Sequence, residues 1–382
     1  MKKKILFIIW SFSAGGGAEK ILANVVNNLD KDKYDITILE YVKFGIKEEK
    51  INNNIKLLEP IINESHNKNN WEKLKYKIIK FITFNYPKII RNLFVKDKYD
   101  IEIAFNYQIP TFLLSDDKDV KKFAWVHSSI EDLDFRNYKG KEQKRIKKRY
   151  DLQRKAFLKI DNIIAISNKT EESIRDLYPS FKDKIRKIYN GYDFEKIKFM
   201  SNENFNYKKK KNFTLLSIGR LVEQKNFSFL IEVGRILKRE NFDYEILILG
   251  TGEQKNLLEK KIIEYNLQNE IKLLGFKENP YVYIKNSDLF CLTSKAEGFP
   301  TVLVEALALG CPFITTKIAG AEELSDGGKC GILENDIEKY SRKIISILND
   351  NQKRKNMSAN GMKFIERYSI ENQISKIEAL LR

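Results

Sequence analysis

Residues 4–29, KILFIIWSFSAGGGAEKILANVVNNL, hold the logic of the fold in one stretch. Lys4 to Trp10 is a continuous apolar run, short enough for a strand buried on both faces. Ser11 to Gly17 is a glycine-rich loop, and from Ala18 to Leu29 apolar residues recur at helical spacing. Strand, loop and amphipathic helix in that order open a β/α unit.

Working outward, the alternation continues. Apolar runs at Tyr34–Leu39, Ile101–Phe105, Phe123–Val126 and Ile163–Ile166 predict further strands, with helical patterns between them, the longest near 141–159. Asn190 to Asp193 reads as a turn and Lys208 to Lys211 as a solvated charge run, so a linker is expected over 191–210. The pattern then restarts with runs at Phe213–Ile218, Tyr244–Leu249, Ile271–Leu274, Leu289–Thr293 and Pro312–Thr315. The expected fold is α/β: two Rossmann-like β/α/β domains, 1–190 and 211–360, facing a central cleft, with ligands at the carboxyl ends of the strands. A length of 382 residues agrees with two cores, and 42% hydrophobic residues supply them.

Composition excludes several classes. Disorder fails on apolar content, and no uninterrupted apolar run is long enough to span a bilayer. The basic opening resembles a signal peptide but runs directly into the glycine loop, so a cytoplasmic location is expected. Cys291, Cys311 and Cys330 match no zinc or redox spacing and read as small buried hydrophobes. His66 and His127 are the only histidines, too few for a multi-histidine metal centre.

The charge of +17 is uneven. Residues 1–190 carry 39 Lys+Arg against 26 Asp+Glu, a net +13. The excess concentrates at 71–98, among Trp71, Tyr76, Phe81, Phe84 and Phe94, and at Lys141 to Arg149. Basic stretches interleaved with aromatics suit an anionic membrane surface or nucleic acid, and equally a solvated helix face.

Twelve of the 18 glycines follow residue 212, mostly just after predicted strands, which places small-molecule binding in the second half. Gly219-Arg220-Leu221-Val222-Glu223-Gln224-Lys225 follows the first of those strands; Arg220 and Lys225 can converge on one anion, as on a nucleoside diphosphate. Gly250 and Gly252 repeat the strand–glycine–helix arrangement. Glu297-Gly298-Phe299-Pro300-Thr301-Val302-Leu303-Val304-Glu305 is the sharpest signal. Pro300 suits the first helical position, leaving the N–H groups of Thr301 and Val302 free for a phosphate. Glu297 before the helix and Glu305 a turn within it can accept from sugar and ribose hydroxyls. His127, at the carboxyl end of a strand, is a further candidate. In the N-terminal loop Gly15-x-Gly17, with Glu40 as a ribose acid, begins a dinucleotide fingerprint, but Lys20 stands where it needs a small residue. The surviving reading is a phosphate or sugar hydroxyl at the helix start, near Gly16 and Gly17.

These elements together, in this order, resemble the family 4 glycosyltransferases, retaining enzymes of GT-B architecture, over nearly the whole chain. The resemblance implies that the second domain binds a nucleotide-sugar donor, UDP before GDP. Arg220 and Lys225 would neutralise the diphosphate, Glu297 hold the transferred sugar and Glu305 the ribose. Gly219, Gly250 and the backbone from Gly298 through Phe299, Pro300, Thr301 and Val302 would cradle the donor. Gly16 and Gly17 would approach the diphosphate, and His127 the donor sugar. The first domain would take a glycan or lipid-linked acceptor in cell-surface polysaccharide synthesis, with its net +13 suiting an anionic leaflet. Residues 361–382 would cross back to the first domain. Pro300 departs from the glycine that many members have there, and Asp326 to Gly331 matches only loosely.

No metal or other cofactor is expected: cationic side chains and a helix start can stabilise the departing diphosphate. The Asp-x-Asp triplets Asp30/Asp32, Asp117/Asp119 and Asp132/Asp134 read as loop carboxylates, since none directly follows a predicted strand. The competing readings are a nucleotide-sugar epimerase, which would need no acceptor, a nucleic-acid-binding protein, and a nicotinamide oxidoreductase. The Lys-rich segments lack the base-stacking sheet or recognition helix that nucleic acid requires, so no nucleic-acid partner is expected.

Overall fold

The computed structural model describes residues 2–14, 17–46, 49–64, 70–208, 210–297 and 299–382. The chain divides into two compact units: Met1–Tyr192 with Ile370–Arg382, and Asp193–Ser369.

The first unit contains β1 (Lys3–Ile9), β2 (Tyr34–Glu40), β3 (Val42–Lys43), β4 (Lys56–Leu57), β5 (Ile62–Asn63), β6 (Ile101–Ala104), β7 (Lys121–Val126), β8 (Asn162–Ala165) and β9 (Ile185–Lys187). Seven of these form one parallel sheet in the order β4-β2-β1-β6-β7-β8-β9, while β3 pairs with β5. Phe7 lies opposite Ile38 on one side and Ile103 on the other. Ile5 to Ile9 are all inaccessible, because helices cover both faces of a parallel sheet; the strand is therefore apolar throughout rather than alternating. The helices are α1 (Gly17–Asn28), α2 (Asn70–Asn85), α3 (Pro87–Phe94), α4 (Ile109–Phe112), α5 (Gly140–Leu158) and α6 (Asn168–Leu177). α1 buries Ile21, Leu22, Val25 and Val26, one stripe of its surface.

The second unit starts with α7 (Phe194–Ser201), which occupies part of the stretch read from sequence as a linker. It continues with β10 (Phe213–Ile218), α8 (Phe227–Arg239), β11 (Tyr244–Leu249), α9 (Lys255–Glu264), β12 (Ile271–Gly275) and α10 (Tyr281–Lys285). Then come β13 (Leu289–Leu292), α11 (Thr301–Ala308), β14 (Phe313–Thr315), α12 (Ala321–Ser325), β15 (Gly331–Leu333), α13 (Ile337–Asn349) and α14 (Asn351–Ile365). Its sheet is parallel, in the order β12-β11-β10-β13-β14-β15. Finally α15 (Ile370–Leu381) belongs to the first unit. There Glu378 accepts from the Asp30 N–H, and the Tyr192 carbonyl accepts from the Ile370 N–H.

Both sheets reverse direction in the same way. After β1 and β2 the chain returns to lay β6 on the other side of β1; after β10, β11 and β12 it lays β13 beside β10. β1 and β6, and β10 and β13, therefore mark the point in each sheet where the strand order switches, the place at which ligands bind in open α/β sheets. The three cysteines are buried and form no disulfide among the described residues, with burial pushing the thiols of Cys291 and Cys330 up, that of Cys330 to about 11.

Candidate active site

Beside the switch point of the second sheet the carboxyl ends of β10, β11 and β12 are laced together by backbone. Gly219 donates to the Leu249 carbonyl at 3.0 Å, Gly250 to the Gly275 carbonyl at 2.9 Å, and Leu221 to the Thr251 carbonyl at 2.9 Å. This close approach requires glycine. Gly250 has φ +137°, and a Cβ there would lie 1.9 Å from the Gly219 oxygen. At Gly252 it would lie 2.4 Å from the Leu221 oxygen. Gly219 itself is less constrained, its Cβ direction meeting only the Lys225 stem at 3.4 Å.

On that platform the loop after β10 is fastened to the loop after β13. Lys225 Nζ donates to Glu297 Oε1 at 2.5 Å, and Ser294 Oγ donates to the same oxygen at 2.6 Å. Gln224 Nε2 donates to the Ala296 carbonyl at 2.8 Å, and the Lys295 N–H returns to the Gln224 carbonyl at 2.8 Å. Lys225 and Glu297, 72 residues apart, form a partly buried ion pair, with side chains 19% and 13% exposed. Arg220 is exposed and forms no ion pair among the described residues. The site thus holds one committed cation and one available one, the second able to grip a diphosphate bidentately.

The helix start differs from expectation. Pro300 is the cap (φ −81°, ψ 82°) rather than the first helical residue, and it is buried. The Thr301 N–H is turned back onto the Phe299 carbonyl at 3.0 Å, so it is not free for a phosphate. Val302 follows as the second helical residue. Gly298 and Gly16 lie outside the described residues. Phe299 packs against Tyr368, ring centroids 5.8 Å apart, and covers Gly320, whose φ of +76° and missing side chain make room for it. Glu305 is buried to 8% exposure and accepts from the Tyr281 hydroxyl at 3.3 Å; burial, then the carboxylate's charge, raises the Tyr281 phenol.

In the first unit His127 follows β7. Its ring lies tilted against Phe105 at 4.6 Å and nearly parallel to Trp125 at 6.3 Å, and it hydrogen-bonds the Phe105 backbone. Burial pushes its pKa down to about 3, so the imidazole is neutral. Nε2 is sealed from solvent without a protein partner, so Nδ1 makes the backbone bond and Nε2 is a bare acceptor. Nearby Tyr107 donates to Asp132, which also pairs with Arg149. Gly17 opens α1 and is exposed; a Cβ placed on it would meet nothing within 4 Å, so the fold itself does not require glycine there.

Glu40 is not a ribose acid. Its Oε1 accepts from Ser11 Oγ (3.0 Å), the Phe12 N–H (2.6 Å), the Ser13 N–H (2.9 Å) and Ser13 Oγ (2.6 Å), clamping the loop after β1. The Asp-x-Asp triplets are turn carboxylates: Asp30 accepts from the Asp32 N–H, Asp117 from Asp119, and Asp134 from Arg136.

Residues 15–196 match the model of Glycosyltransferase Family 4, and residues 199–364 match that of Glycosyl transferases group 1. The chain belongs to the family 4 glycosyltransferases. This glycosyltransferase is 31% identical over 253 residues to an uncharacterized glycosyltransferase of Methanocaldococcus jannaschii, covering 64% of the chain and 59% of that relative's length. It is 25% identical to one of Haemophilus influenzae over 99% of the chain and 100% of that protein. It is 34% identical over 165 residues, 42% of the chain and 44% of the relative, to the Campylobacter jejuni N-acetylgalactosamine-N,N'-diacetylbacillosaminyl-diphospho-undecaprenol 4-alpha-N-acetylgalactosaminyltransferase. Its fold matches that of Anabaena HepE in complex with UDP at TM-score 0.69 and 18% identity, over 100% of this chain and 99% of that one. The family 4 glycosyltransferase fold is thus the GT-B pair of Rossmann-like domains. Sequence reasoning found Gly252 from its strand-end position and missed Ser294, Tyr281 and Gly320, whose contacts come from residues the pattern of apolar runs does not mark.

Proposed function

We propose that this glycosyltransferase moves a hexosyl or N-acetylhexosaminyl group from a UDP-sugar, with retention, to a glycan or lipid-linked acceptor in cell-surface polysaccharide synthesis, working at the cytoplasmic side of a membrane. The observation that carries the donor half is the partly buried Lys225–Glu297 pair that joins the loops after β10 and β13, with Arg220, exposed and in no ion pair among the described residues, in the same β10 loop. The UDP complex of HepE and the diphospho-undecaprenol acceptor in the Campylobacter relative's name support the choice of nucleotide and of acceptor class.

In this proposal the bond between the anomeric carbon and the diphosphate oxygen breaks and its electron pair leaves with UDP. Arg220 and Lys225 neutralise the charge that develops on the leaving group. The acceptor hydroxyl oxygen bonds the anomeric carbon on the same face, and its proton passes to the departing phosphate oxygen. Glu297, released in part as Lys225 turns to the diphosphate, holds hydroxyls of the sugar, and Glu305 holds the ribose. His127 stands beside the donor sugar as a neutral imidazole and carries no proton through the step. The chain's own cations do the work assigned elsewhere to a metal ion.

A thermal-shift titration with UDP, GDP, UDP-sugars and NAD, on wild type and Arg220→Ala, tests the reading. UDP is expected to raise the melting temperature, with Arg220→Ala weakening binding at least tenfold, the scale of about 1.5–3 kcal/mol for charge-assisted hydrogen bonds. Stabilisation by NAD alone, or by no nucleotide, sinks the donor site. Rearranged sugar released without any acceptor would make the protein an epimerase instead.

A further inference from the structure

The basic segment at 71–98 folds into α2 and α3, and their apolar residues are divided between two faces. Tyr76, Ile79, Ile82 and Phe84 pack against the core of the first unit, Thr83 is buried beneath the Tyr41 hydroxyl, and Ile90 is buried from α3. Arg91 locks α3 down through a nearly inaccessible Glu102. The outward face is apolar as well. Trp71 is 80% exposed, Phe81 63%, Ile78 50% and Leu74 49%, and Tyr86, Ile89 and Leu93 extend the surface along α3.

At about 100° per residue, Trp71, Leu74, Ile78 and Phe81 share an arc of about 80°, and Lys75 and Lys77 stand about 40° beyond its two edges. Lys73 and Lys80 lie further round. These four lysines are exposed and unpaired among the described residues, and Glu72 is the only acid between 70 and 94. Among the described residues no helix is long and apolar enough to cross a membrane.

We propose that α2 and α3 dock the enzyme on an anionic lipid leaflet. The Trp71–Phe81 stripe sits at the boundary of headgroups and acyl chains, and the flanking lysines reach lipid phosphates. Aromatic Trp71 and Tyr86 suit that boundary, presenting apolar bodies and polar tips. Charge selects the occupant. In a symmetric pair of chains the same lysines would face one another across the interface, whereas an anionic leaflet complements them. This deepens the acceptor side of the proposed function and rests on it only for the lipid character of the acceptor.

Flotation of the full chain with phosphatidylcholine vesicles, with and without phosphatidylglycerol, tests the docking. Wild type is expected to float only with the anionic vesicles and to be released by high salt. Trp71→Ser/Phe81→Ser should lower partitioning at least tenfold, and Lys75→Gln/Lys77→Gln about fivefold per lysine removed. Both variants change exposed side chains, and an unaltered melting temperature verifies that they fold. The proposal is overturned if wild type stays at the bottom, if it floats equally with neutral vesicles, or if either variant floats like wild type. Sedimentation showing a wild-type dimer that Phe81→Ser dissociates would also overturn it, assigning the stripe to self-association. A UDP response measured on the same samples separates the two proposals: if it is missing while flotation behaves as stated, the donor site falls and the docking face stands.

Discussion

Lys225 Nζ and Glu297 Oε1 meet at 2.5 Å, joining the loops that leave β10 and β13 across the switch point of the second sheet. The pair is too enclosed to be a surface ornament, so removing either partner strands a charge. Lys225→Ala and Glu297→Gln are each expected to destabilise the free enzyme. Their double-mutant coupling should be about 1–2 kcal/mol by denaturant unfolding. Saturating UDP should shrink that coupling as Lys225 turns to phosphate; strictly additive single effects would contradict the pairing.

Two glycines make opposite predictions. Gly250→Ala forces a side chain to within 1.9 Å of a backbone oxygen at a φ no alanine prefers. It is expected to cost more than about 3 kcal/mol or to block folding. Gly17→Ala meets nothing within 4 Å and should leave the melting temperature unchanged or slightly raised. Any loss of UDP affinity in that variant would then report on ligand approach alone.

His127 gives a pH signature. Its ordinary value of 6.5 falls to about 3 in the folded protein, so between these values only the unfolded chain binds the proton. Its contribution to stability is intact above about 6.5 and is lost as pH falls toward 3. The loss amounts to at most about 3 kcal/mol near pH 4. Subtracting the urea stability curve of His127→Asn from that of wild type should isolate this slope. A difference that is flat with pH would mean the histidine is hydrated and ordinary.

Arg91 reaches Glu102 Oε1 at 2.6 Å and the Leu113 carbonyl at 3.0 Å, while the Ser115 N–H takes Glu102 Oε2. Arg91→Met leaves that carboxylate buried without its cation, an expected loss of about 3–5 kcal/mol. Hydrogen exchange should quicken first in α3. If exchange rises evenly across the first unit, the pair supports the whole sheet rather than one helix.

The parallel sheets were legible because their strands are buried on both faces and so are written as unbroken apolar runs; Phe213–Ile218 and Tyr244–Leu249 match β10 and β11 residue for residue. The two-residue β3, β4 and β5 carry no such run and depend on neighbours. Helix α7 escaped notice because its packing, against α10 and α11, is made by residues nearly a hundred positions away. Arg220, Lys225 and Glu297 were readable from their positions after strands. That Lys225 binds Glu297 was not, since sequence does not tell which of two cations faces inward. Lys20 argued against a dinucleotide site, but what Glu40 does instead could not be read, because a carboxylate ending a strand looks the same whether it awaits a ligand or, as here, collects donors from Ser11, Phe12 and Ser13. The alternating Lys and apolar residues of α2 showed charge, but only the fold showed which apolar residues it leaves outside.

The first unit is written in two pieces, with the second unit lying between them in the chain. Ile377 and Leu381 of α15 are buried there, and Lys3 bonds the Leu381 carbonyl. During synthesis the piece that completes this core therefore leaves the ribosome only after the whole second unit. Residues 1–192 must wait, with the surface of α1 that α15 packs on uncovered, while some 180 further residues are made and folded, an interval of roughly 10–40 s at ordinary elongation rates. A nascent chain stalled before α15 should accordingly bind chaperones and yield readily to protease. Release of α15 would end both, making translation speed over the second unit a determinant of yield.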